Sequence, residues 1–436
     1  MTTHIKEHNW FLFLERVFVI SALFFFLGAV LPVLENPNDS AGIAVQTDPM
    51  VLFIQLAIYL FGLMFLFTVR RGVARALLTN PLLSLILVLA VASTAWSPVP
   101  DLTLRRALSL IIVTMFALYL GIRYTPPEIL RLFAYVLFLA VLLNVIFVFL
   151  IPSYGVESQA NNGAWRGAFL QKNIFARYMV IAAVTFIYLK PQSSKELGIK
   201  VSGLVLAPIL VIGSISVGSY VMAAFAMLLM PSLKAFRLPI KRLLPVGIAL
   251  TILTTGVLIL VRLNAHMLLS LLGRSANLTG RVPLWHILLK RLSYAPVLGY
   301  GVNGFWSTQG TDVWTSLNLP HMMAAHAHNG YLDLSLELGA LGLVVFLVNT
   351  VLVLWRCMVL IATERTREAE WPFLLIVLIL GFNCFESDLL HQNGILWITY
   401  VALAVSTQRA LRHRLDQPST LKLHMSTPVE SVACVQ

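Results

Sequence analysis

Apolar residues in this sequence are gathered into long runs that short polar segments separate. A helix that crosses a membrane needs about 20 consecutive, mainly apolar residues, with a range of about 17–25. The pattern therefore predicts an all-α polytopic membrane protein with about twelve transmembrane helices. The apolar runs cover residues 11–34, 50–69, 81–97, 104–122, 129–151, 174–190, 201–215, 218–233, 243–262, 331–355, 371–385 and 394–409.

The order of these runs divides the chain into four parts. Residues 1–262 hold predicted transmembrane helices one to nine, and residues 331–409 hold helices ten to twelve. Between them, residues 263–330 form a long polar loop in which we expect short helices and the active-site residues, and residues 410–436 form a cytoplasmic tail. The first run follows a polar segment and lacks a small-residue cleavage site, which indicates a retained helix rather than a signal peptide.

Runs seven and eight are short for membrane spans, and two interpretations of them stay open. The connecting segment Ser214-Ile-Ser-Val-Gly-Ser219 fits a re-entrant pair, and it fits a tight turn between two helices equally well.

Lys and Arg residues are concentrated in alternate connections between the runs. Cytoplasmic loops of membrane proteins carry an excess of these residues, so the pattern predicts that both termini are cytoplasmic and that the long loop faces the periplasm. The first outer loop, 35–49, has neither Lys nor Arg. The basic connections contain Arg70, Arg71, Arg75, Lys190, Lys195, Lys200, Lys234, Arg237, Lys241, Arg242, Arg356, Arg365, Arg367, Arg409, Arg412 and Arg414.

The overall composition agrees with a membrane protein. Hydrophobic residues make up 58% of the chain and charged residues 11%, with a mean hydropathy of +0.84, whereas a soluble domain carries about 25% charged residues. The net charge of +12 follows from the basic connections. A nucleic-acid-binding protein would cluster its basic residues on a soluble module, so membrane lipids are expected as partners and nucleic acid is not.

A small set of cations nevertheless lies on the predicted outer side. One explanation is an anionic ligand at the outer membrane face, and the other is that these long side chains reach lipid phosphates. The set comprises Arg105, Arg106, Arg166, Lys172, Arg177, Arg274, Arg281, Lys290 and Arg291.

The long loop contains a predicted short helix that begins near Arg281, with Thr279 as its cap and Pro283 in its first turn. The N-terminus of a helix carries a partial positive charge and favours phosphate groups. Arg281 is therefore a candidate phosphate ligand, and Arg166, Lys172 and Arg291 are candidates with it.

His326-Ala-His328 stands directly before run ten. Two histidines at this spacing form only part of a metal site, and no carboxylate is close in sequence, so no metal is expected. An imidazole suits the acceptance of a proton from a hydroxyl group, which makes His328 a candidate general base. The alternative is that His328 caps or packs the start of the helix.

Glu386 and Asp388 stand with His391 in the last predicted outer loop. They could bind sugar hydroxyls or orient a cation such as Arg281, and the alternative is a solvent-exposed turn. Glu386 joins the candidate acceptor-binding residues, of which the others are His326, Asn329 and Tyr331.

Several segments resemble the O-antigen ligase and O-antigen polymerase superfamily and are most similar to its exopolysaccharide-polymerase branch. They extend in order from about residue 90 to residue 400. The segments are Ala95-Trp-Ser-Pro-Val-Pro with Leu104-Arg-Arg-Ala107, Arg166-Gly-Ala-Phe-Leu-Gln-Lys-Asn173, Leu278-Thr-Gly-Arg-Val-Pro-Leu-Trp285, Pro296-Val-Leu-Gly-Tyr-Gly301, Ala327-His-Asn-Gly-Tyr-Leu332, Glu337-Leu-Gly-Ala-Leu-Gly342 and Phe385-Glu-Ser387.

The resemblance implies a GT-C-like transferase of the bacterial inner membrane. Such enzymes move a glycan from undecaprenyl pyrophosphate to an acceptor hydroxyl at the periplasmic face, with inversion and without a metal or another cofactor. On this resemblance Arg281, Arg166 and Lys172 would hold the pyrophosphate, and His328 would activate the acceptor. The family pattern His-Lys-Asn is Gln171-Lys-Asn here, which puts any role of position 171 in doubt.

Three functional alternatives follow. A polymerase joins one lipid-linked repeat to another, whereas a ligase transfers the glycan to lipid A-core. We favour the polymerase because the motifs are closest to that branch. A twelve-helix transporter or flippase would show charged residues near helix centres and broken helices in paired half-repeats, and the sequence indicates neither.

Overall fold

A computed structural model describes residues 2–29, 49–157, 163–237, 281–308, 313, 326–390 and 394–416. Within these ranges the chain is helical, and its only β-type pairing is an isolated bridge between Val156 and Trp165. The longer helices are α1 (Thr2–Phe26), α2 (Pro49–Thr68), α3 (Arg70–Thr79), α4 (Pro81–Ala92), α5 (Pro100–Arg123), α6 (Pro126–Phe149), α7 (Lys172–Tyr188), α8 (Ser194–Gly213), α9 (Val217–Ser232), α10 (Arg281–Leu292), α11 (Gly330–Glu364), α12 (Trp371–Phe382) and α13 (Ile395–Asp416).

Several of the described helices have the length and hydropathy of membrane spans. Six pass both criteria, and a seventh passes if the bent pair α3–α4 is one span. The fold is therefore an all-α polytopic membrane protein, as the sequence predicts. The number twelve stays a prediction, since run nine (243–262) lies outside the described residues. The six are α2, α5, α6, α8, α9 with its 3₁₀ extension to Arg237, and α11.

Proline and side-chain caps set the start of many helices. Helices α2, α4, α5 and α6 each begin with a proline, which suits a first turn because that position has no intrahelical N–H bond to lose. Thr125 and Glu128 form a capping box at α6, with the Thr125 N–H donating to Glu128 Oε2 over 2.8 Å.

The third apolar run (81–97) forms helix α4 and a short 3₁₀ turn to Ala95, and a separate short helix, α3, precedes it. Helix α3 and the stretch Pro81–Ala95 meet at an angle of 93°. The bend falls at Asn80, whose backbone (φ −125°, ψ 66°) lies outside the helical region, because a residue before proline is driven away from it. The predicted helix over run three is confirmed for Pro81–Ala92, whereas helix α3 and the bend at Asn80 were not predicted.

Runs seven and eight form two full helices that a tight turn joins. Helices α8 and α9 pass the span criteria separately, α9 with its 3₁₀ extension, and Ile215 turns the chain between them with φ 48°. The tight turn is thus the correct interpretation of this pair. Run eleven is shorter than predicted, because α12 ends at Phe382 and Asn383 Oδ1 then accepts the Asp388 N–H to close a loop.

Helices α5 and α13 pack closely through the centre of the molecule. A side chain at Gly121 would come within 2.7 Å of the Ala402 carbonyl oxygen, so only glycine allows this approach. The buried Trp397 indole donates to the Thr114 hydroxyl over 2.9 Å. This contact satisfies two polar groups in an otherwise apolar core.

Ion pairs are concentrated in and beside the segments that are predicted to be cytoplasmic. Arg123 contacts Glu15 at 2.9 Å, Arg131 contacts Glu196 at 3.8 Å, and Arg237 contacts Glu370. These acids balance part of the basic excess at that end. The orientation in the membrane stays a prediction.

Helix α11 is broken at Gly339. Its φ of 66° and ψ of −169° belong to a region that essentially only glycine adopts. The break frees backbone groups on both of its sides, and the segment 296–301 satisfies them. The N–H groups of Ala340 and Leu341 donate to the Pro296 and Val297 carbonyls (2.8 and 3.2 Å), and the Leu336 and Glu337 carbonyls accept from Tyr300 and Gly301 (2.7 and 2.9 Å).

The segment after α4 braces the same region from the other side. The Trp96 indole donates to the Leu298 carbonyl over 3.2 Å. The Ser93 hydroxyl accepts the Val302 N–H over 3.2 Å, and the Thr103 hydroxyl donates to the Val302 carbonyl over 3.0 Å. Three motifs that are far apart in sequence thus form one hydrogen-bonded structure.

The break at Gly339 left no mark in the apolar pattern, since its polar groups bond within the protein. Backbone groups of the segment 296–301 form hydrogen bonds to the helix on both sides of Gly339.

Replacing Gly339 with alanine tests this brace. A Cβ there would overlap the Val297 carbonyl, and the backbone conformation alone costs about 1–3 kcal/mol for other residues. We expect a clear fall in the thermal unfolding temperature in detergent.

The matched control is Gly198→Ala in α8, where a Cβ meets no atom within 4 Å. Alanine in a helix is favoured over glycine by about 0.5–1 kcal/mol, so this variant should match or exceed the wild type. Equal stability of Gly339→Ala and Gly198→Ala would contradict the brace.

Candidate active site

Three described segments meet at one end of the helices: the start of α10, the segment 326–329 before α11, and the loop 383–390 after α12. The Gly330 N–H donates to the Asn383 and Glu386 carbonyl oxygens (2.9 and 3.0 Å). Arg281 Nη1 donates to the Phe385 carbonyl oxygen over 2.6 Å. The loop 383–390 therefore contacts both of the other segments.

The Glu386 carboxylate lies between the two main candidate residues. Its Oε1 is 3.4 Å from Arg281 Nη2, and its Oε2 is 3.6 Å from His328 Nδ1. The side chain of Glu386 is 8% exposed, whereas those of Arg281 and His328 are 19% and 23% exposed. The two nitrogen-bearing side chains are thus more accessible to a ligand than the carboxylate that joins them.

The environment of Glu386 favours its charged form. Burial raises the pKa of this carboxyl group, but the contact with His328 and the charges of Arg177, His328 and Arg281 outweigh burial, so the pKa is lowered from its ordinary value. The alternative of a solvent-exposed turn at Glu386 is wrong, because its side chain is buried. Its contact with Arg281 fits the alternative that it orients this cation, and binding of sugar hydroxyls by Glu386 stays a prediction.

His328 has an unusual backbone conformation, with a φ of 50°. A residue with a Cβ adopts this left-handed region at a cost of about 1–3 kcal/mol, and such strain is found mostly at functional sites. Its ring lies 4.3 Å from the His326 ring, centroid to centroid, so the two histidines of the motif are neighbours in space.

The cap of helix α11 is Asn329 and not His328. Asn329 Oδ1 accepts the Tyr331 and Leu332 N–H groups, each over 3.1 Å. Because the helix start already has its cap, the alternative that His328 serves as one is wrong. Acceptor binding by Asn329 stays a prediction beside this capping role.

The peptide group of Ala327, next to His328, is held on both of its sides. Its N–H donates to the two Asp333 carboxylate oxygens (3.1 and 2.9 Å), and its carbonyl accepts from the Trp285 indole over 2.9 Å. The Trp306 indole donates to Asp333 Oδ1 over 2.7 Å. Trp285 and Trp306 therefore help to hold the backbone before α11 in place through these hydrogen bonds.

Arg177 and Asp388 form a buried ion pair behind this site. The Arg177 side chain is 3% exposed, and it stacks on Tyr178 at 5.0 Å from the ring centroid. Asp388, which the sequence linked to a cation such as Arg281, pairs with Arg177 of helix α7. His391 lies outside the described residues.

The structure gives Arg166 and Lys172 separate surroundings from Arg281. Arg166 Nε donates to the Tyr154 carbonyl over 2.7 Å, and its guanidinium lies 4.7 Å from the Tyr154 ring centroid. Lys172 opens helix α7, the helix that carries Arg177, and its N–H donates to Glu157 Oε1 over 3.0 Å. Their predicted contact with a pyrophosphate stays a prediction.

The remaining candidates are Arg291, which lies away from Arg281, and Tyr331, whose hydroxyl bonds to another helix. Arg291 lies ten residues after Arg281 on α10, which separates the two backbones by about 15 Å. The Tyr331 hydroxyl donates to the Leu380 carbonyl over 2.8 Å and so ties α11 to α12. The structure brings Arg281, His328, His326, Asn329 and Glu386 together, and Arg291 lies at the other end of its helix.

The sequence reasoning missed Asp333 and the partnership of Arg177 with Asp388. A signal was present, because acids are costly within a membrane helix and mark functional sites, and Asp333 and Glu337 both occur in run ten. Within the described residues no group of three or more His, Cys, Asp or Glu side chains could hold a metal ion.

These features define a class of protein: a helical membrane protein with a charged Arg–Glu–His site at one end of its helices. A family model described as O-antigen ligase matches residues 202–347, about a third of the chain. The match includes Arg281 and His328. It supports the resemblance to the O-antigen ligase and polymerase superfamily that the motifs indicate.

The match suggests a glycosyltransferase-type enzyme of lipopolysaccharide or polysaccharide biosynthesis in a membrane, with the inner membrane as its expected location. It also implies a lipid-linked glycan donor and a glycan acceptor. No curated protein matches the chain significantly.

The buried Arg177–Asp388 pair leads to a prediction about the thermal stability of the protein. Removing one partner of a buried pair leaves an uncompensated charge, at a cost of about 3–5 kcal/mol. Asp388→Asn should therefore lower the unfolding temperature in detergent strongly, and the double variant Arg177→Met/Asp388→Asn should recover much of the loss.

Glu364→Gln is the matched control, since Arg414 in that pair is 44% exposed and exposed pairs contribute about 0–1 kcal/mol. A double variant no more stable than Asp388→Asn alone would contradict the ion-pair explanation.

Proposed function

We propose that this chain is an inverting, metal-independent glycosyltransferase. It transfers a glycan from undecaprenyl pyrophosphate to an acceptor sugar hydroxyl at the periplasmic face of the inner membrane, as a repeat-unit polymerase. The observation that carries the proposal is the placement of Arg281 and His328 on either side of Glu386, at 3.4 and 3.6 Å. The side chain proposed to bind phosphate, Arg281, therefore lies close to the proposed base, His328.

Arg281 binds the leaving group in this proposal. It stands at the first position of α10, where the helix dipole adds positive charge, and a guanidinium matches two phosphate oxygens geometrically. Its Nη1 stays bonded to the Phe385 carbonyl, which holds the group in place. Lys172 and Arg166 supply further positive charge from the segment around the start of α7.

His328 acts as the general base. Its Nδ1 faces Glu386, which orients the ring, stabilises the imidazolium that forms and leaves Nε2 for the acceptor hydroxyl. The hydroxyl oxygen attacks the anomeric carbon, its proton passes to Nε2, and the carbon–oxygen bond to pyrophosphate breaks with its electron pair. A single displacement inverts the anomeric centre. Such a base contributes about 10²–10⁴-fold.

The main competing function is a ligase that transfers the glycan to lipid A-core. The matched family model is described as O-antigen ligase and does not separate the two functions, whereas the motifs are most similar to the polymerase branch. Both use the same donor and the same Arg281–Glu386–His328 site, so only the acceptor separates them.

The test incubates purified protein in detergent with EDTA and a synthetic undecaprenyl-pyrophosphate oligosaccharide, with or without lipid A-core. We expect glycan ladders without lipid A-core, detected by gel and mass spectrometry. Transfer only onto lipid A-core would establish the ligase instead. No transfer in either reaction, even after a divalent metal is restored, would favour the transporter or flippase.

Variants at the two side chains separate binding from chemistry. His328→Ala should lower turnover by about 10²–10⁴-fold and leave undecaprenyl-pyrophosphate binding unchanged. Arg281→Ala should weaken that binding.

The control for both is His286→Ala, an exposed residue of the same helix α10, which should retain wild-type turnover and affinity. Wild-type turnover of His328→Ala would remove this residue from the mechanism, and unchanged affinity of Arg281→Ala would remove Arg281 from donor binding.

A further inference from the structure

The carboxylate of Asp333 lies behind the candidate base and joins three segments of the site. It accepts the Ala327 N–H with both oxygens (3.1 and 2.9 Å) and the Trp306 indole N–H with Oδ1 (2.7 Å). The Ser387 hydroxyl interacts with the same carboxylate. These donors come from the segment before α11, from the helical turn 304–308 and from the loop 383–390.

These contacts restrict the backbone conformation of His328, the residue that follows Ala327. The Ala327 peptide is fixed at its N–H by Asp333 and at its carbonyl by Trp285. His328 then takes its left-handed backbone, with φ 50°. A residue with a Cβ holds such a conformation only where its surroundings over-determine it, and the anchored Ala327 peptide provides that restraint.

The same carboxylate also influences the position of Glu386. Ser387, which interacts with Asp333, accepts the Asn329 N–H over 3.1 Å and is the next residue after Glu386. Asp333 therefore contacts the segments on both sides of the His328–Glu386 pair without contacting Arg281 in the described structure.

We propose that Asp333 is a positioning residue, whose carboxylate fixes the Ala327 peptide and Ser387 so that His328 Nδ1 faces Glu386. This inference rests on the proposed function, in which His328 is the base. Asp333 acts in this proposal through the Ala327 peptide and Ser387, and its oxygens accept hydrogen bonds from the protein.

An amide cannot replace this carboxylate. Asparagine has one acceptor oxygen and one NH₂ group, so the NH₂ would face either the Ala327 N–H or the Trp306 indole, and two donors would oppose each other. Leaving a partly buried donor without its acceptor is costly. The segment with His328 should move, and a displacement of about 1 Å in such a site can lower the rate about 100-fold.

The experiment compares Asp333→Asn with Glu337→Gln. The control makes the same carboxylate-to-amide change one turn later on α11, where Glu337 Oε1 accepts the Asn303 N–H over 3.0 Å. We expect kcat to fall about 10–100-fold in Asp333→Asn, with binding of undecaprenyl pyrophosphate within about two-fold of wild type. Glu337→Gln should lose much less kcat.

A second readout does not depend on activity. Diethyl pyrocarbonate modifies accessible imidazoles, and mass spectrometry gives the rate at His328 relative to the exposed His286 in the same molecule. That ratio should change in Asp333→Asn and not in Glu337→Gln. Trp306→Phe, which removes one donor and keeps an aromatic ring, should show a smaller change of the same sign and provides a folded variant if Asp333→Asn does not fold.

The outcomes separate the two claims. A changed labelling ratio with unchanged kcat supports positioning by Asp333 and removes His328 from the role of base. An unchanged ratio in both Asp333→Asn and Trp306→Phe overturns the inference whatever happens to kcat. Equal losses of kcat in Asp333→Asn and Glu337→Gln, with equal losses of thermal stability, also overturn it, because they indicate a general structural role.

Discussion

The structure depends on one constraint: a helix that breaks inside an apolar protein must have its freed backbone groups hydrogen-bonded. Helix α11 breaks at Gly339, and the segment 296–301 supplies the missing partners on both sides of the break. That segment follows directly after α10 in sequence. The bonds that satisfy the break therefore also fix the chain that carries Arg281, and the membrane allows no solvent to replace them.

The second constraint is electrostatic. Arg281, Arg177 and His328 converge at one end of the helices, and Glu386 and Asp388 on one short loop lie against them. Without these acids the Arg281 and Arg177 guanidinium groups would lie near each other without a counter-charge. With them, Arg281 keeps part of its surface exposed while the Glu386 carboxylate lies deeper, so an incoming anion meets the Arg281 guanidinium first.

Most of the family-like motifs prove to be architectural. Trp96 and the segments 296–301 and 337–342 form the hydrogen-bonded structure around the break at Gly339. In the segment 166–173, Phe169 stacks on Tyr178. The segments around Arg281, His328 and Glu386 supply the central residues of the proposed chemistry, and Arg166 and Lys172 of the segment 166–173 add positive charge. A short motif can therefore mark a family by specifying packing, and its presence alone does not identify a ligand-binding residue.

The sequence by itself determined the class of fold, the positions of most helices and the short helix at Arg281, and it singled out Arg281, His328 and Glu386, which the structure brings together. Apolar runs, capping residues and retained cations are local signals, and they are read without knowing which segments meet. The bend at Asn80 escaped this reading, although Pro81 gave a local hint of it.

Only the tertiary structure decided the remaining features. The break at Gly339 leaves the apolar pattern intact, because its polar groups are satisfied by residues about forty positions away. The pairing of Asp388 with Arg177, the separation of Arg291 from Arg281 and the anchoring of Ala327 by Asp333 are likewise products of three-dimensional packing. Each depends on distances between segments, and a linear sequence records residue types without those distances.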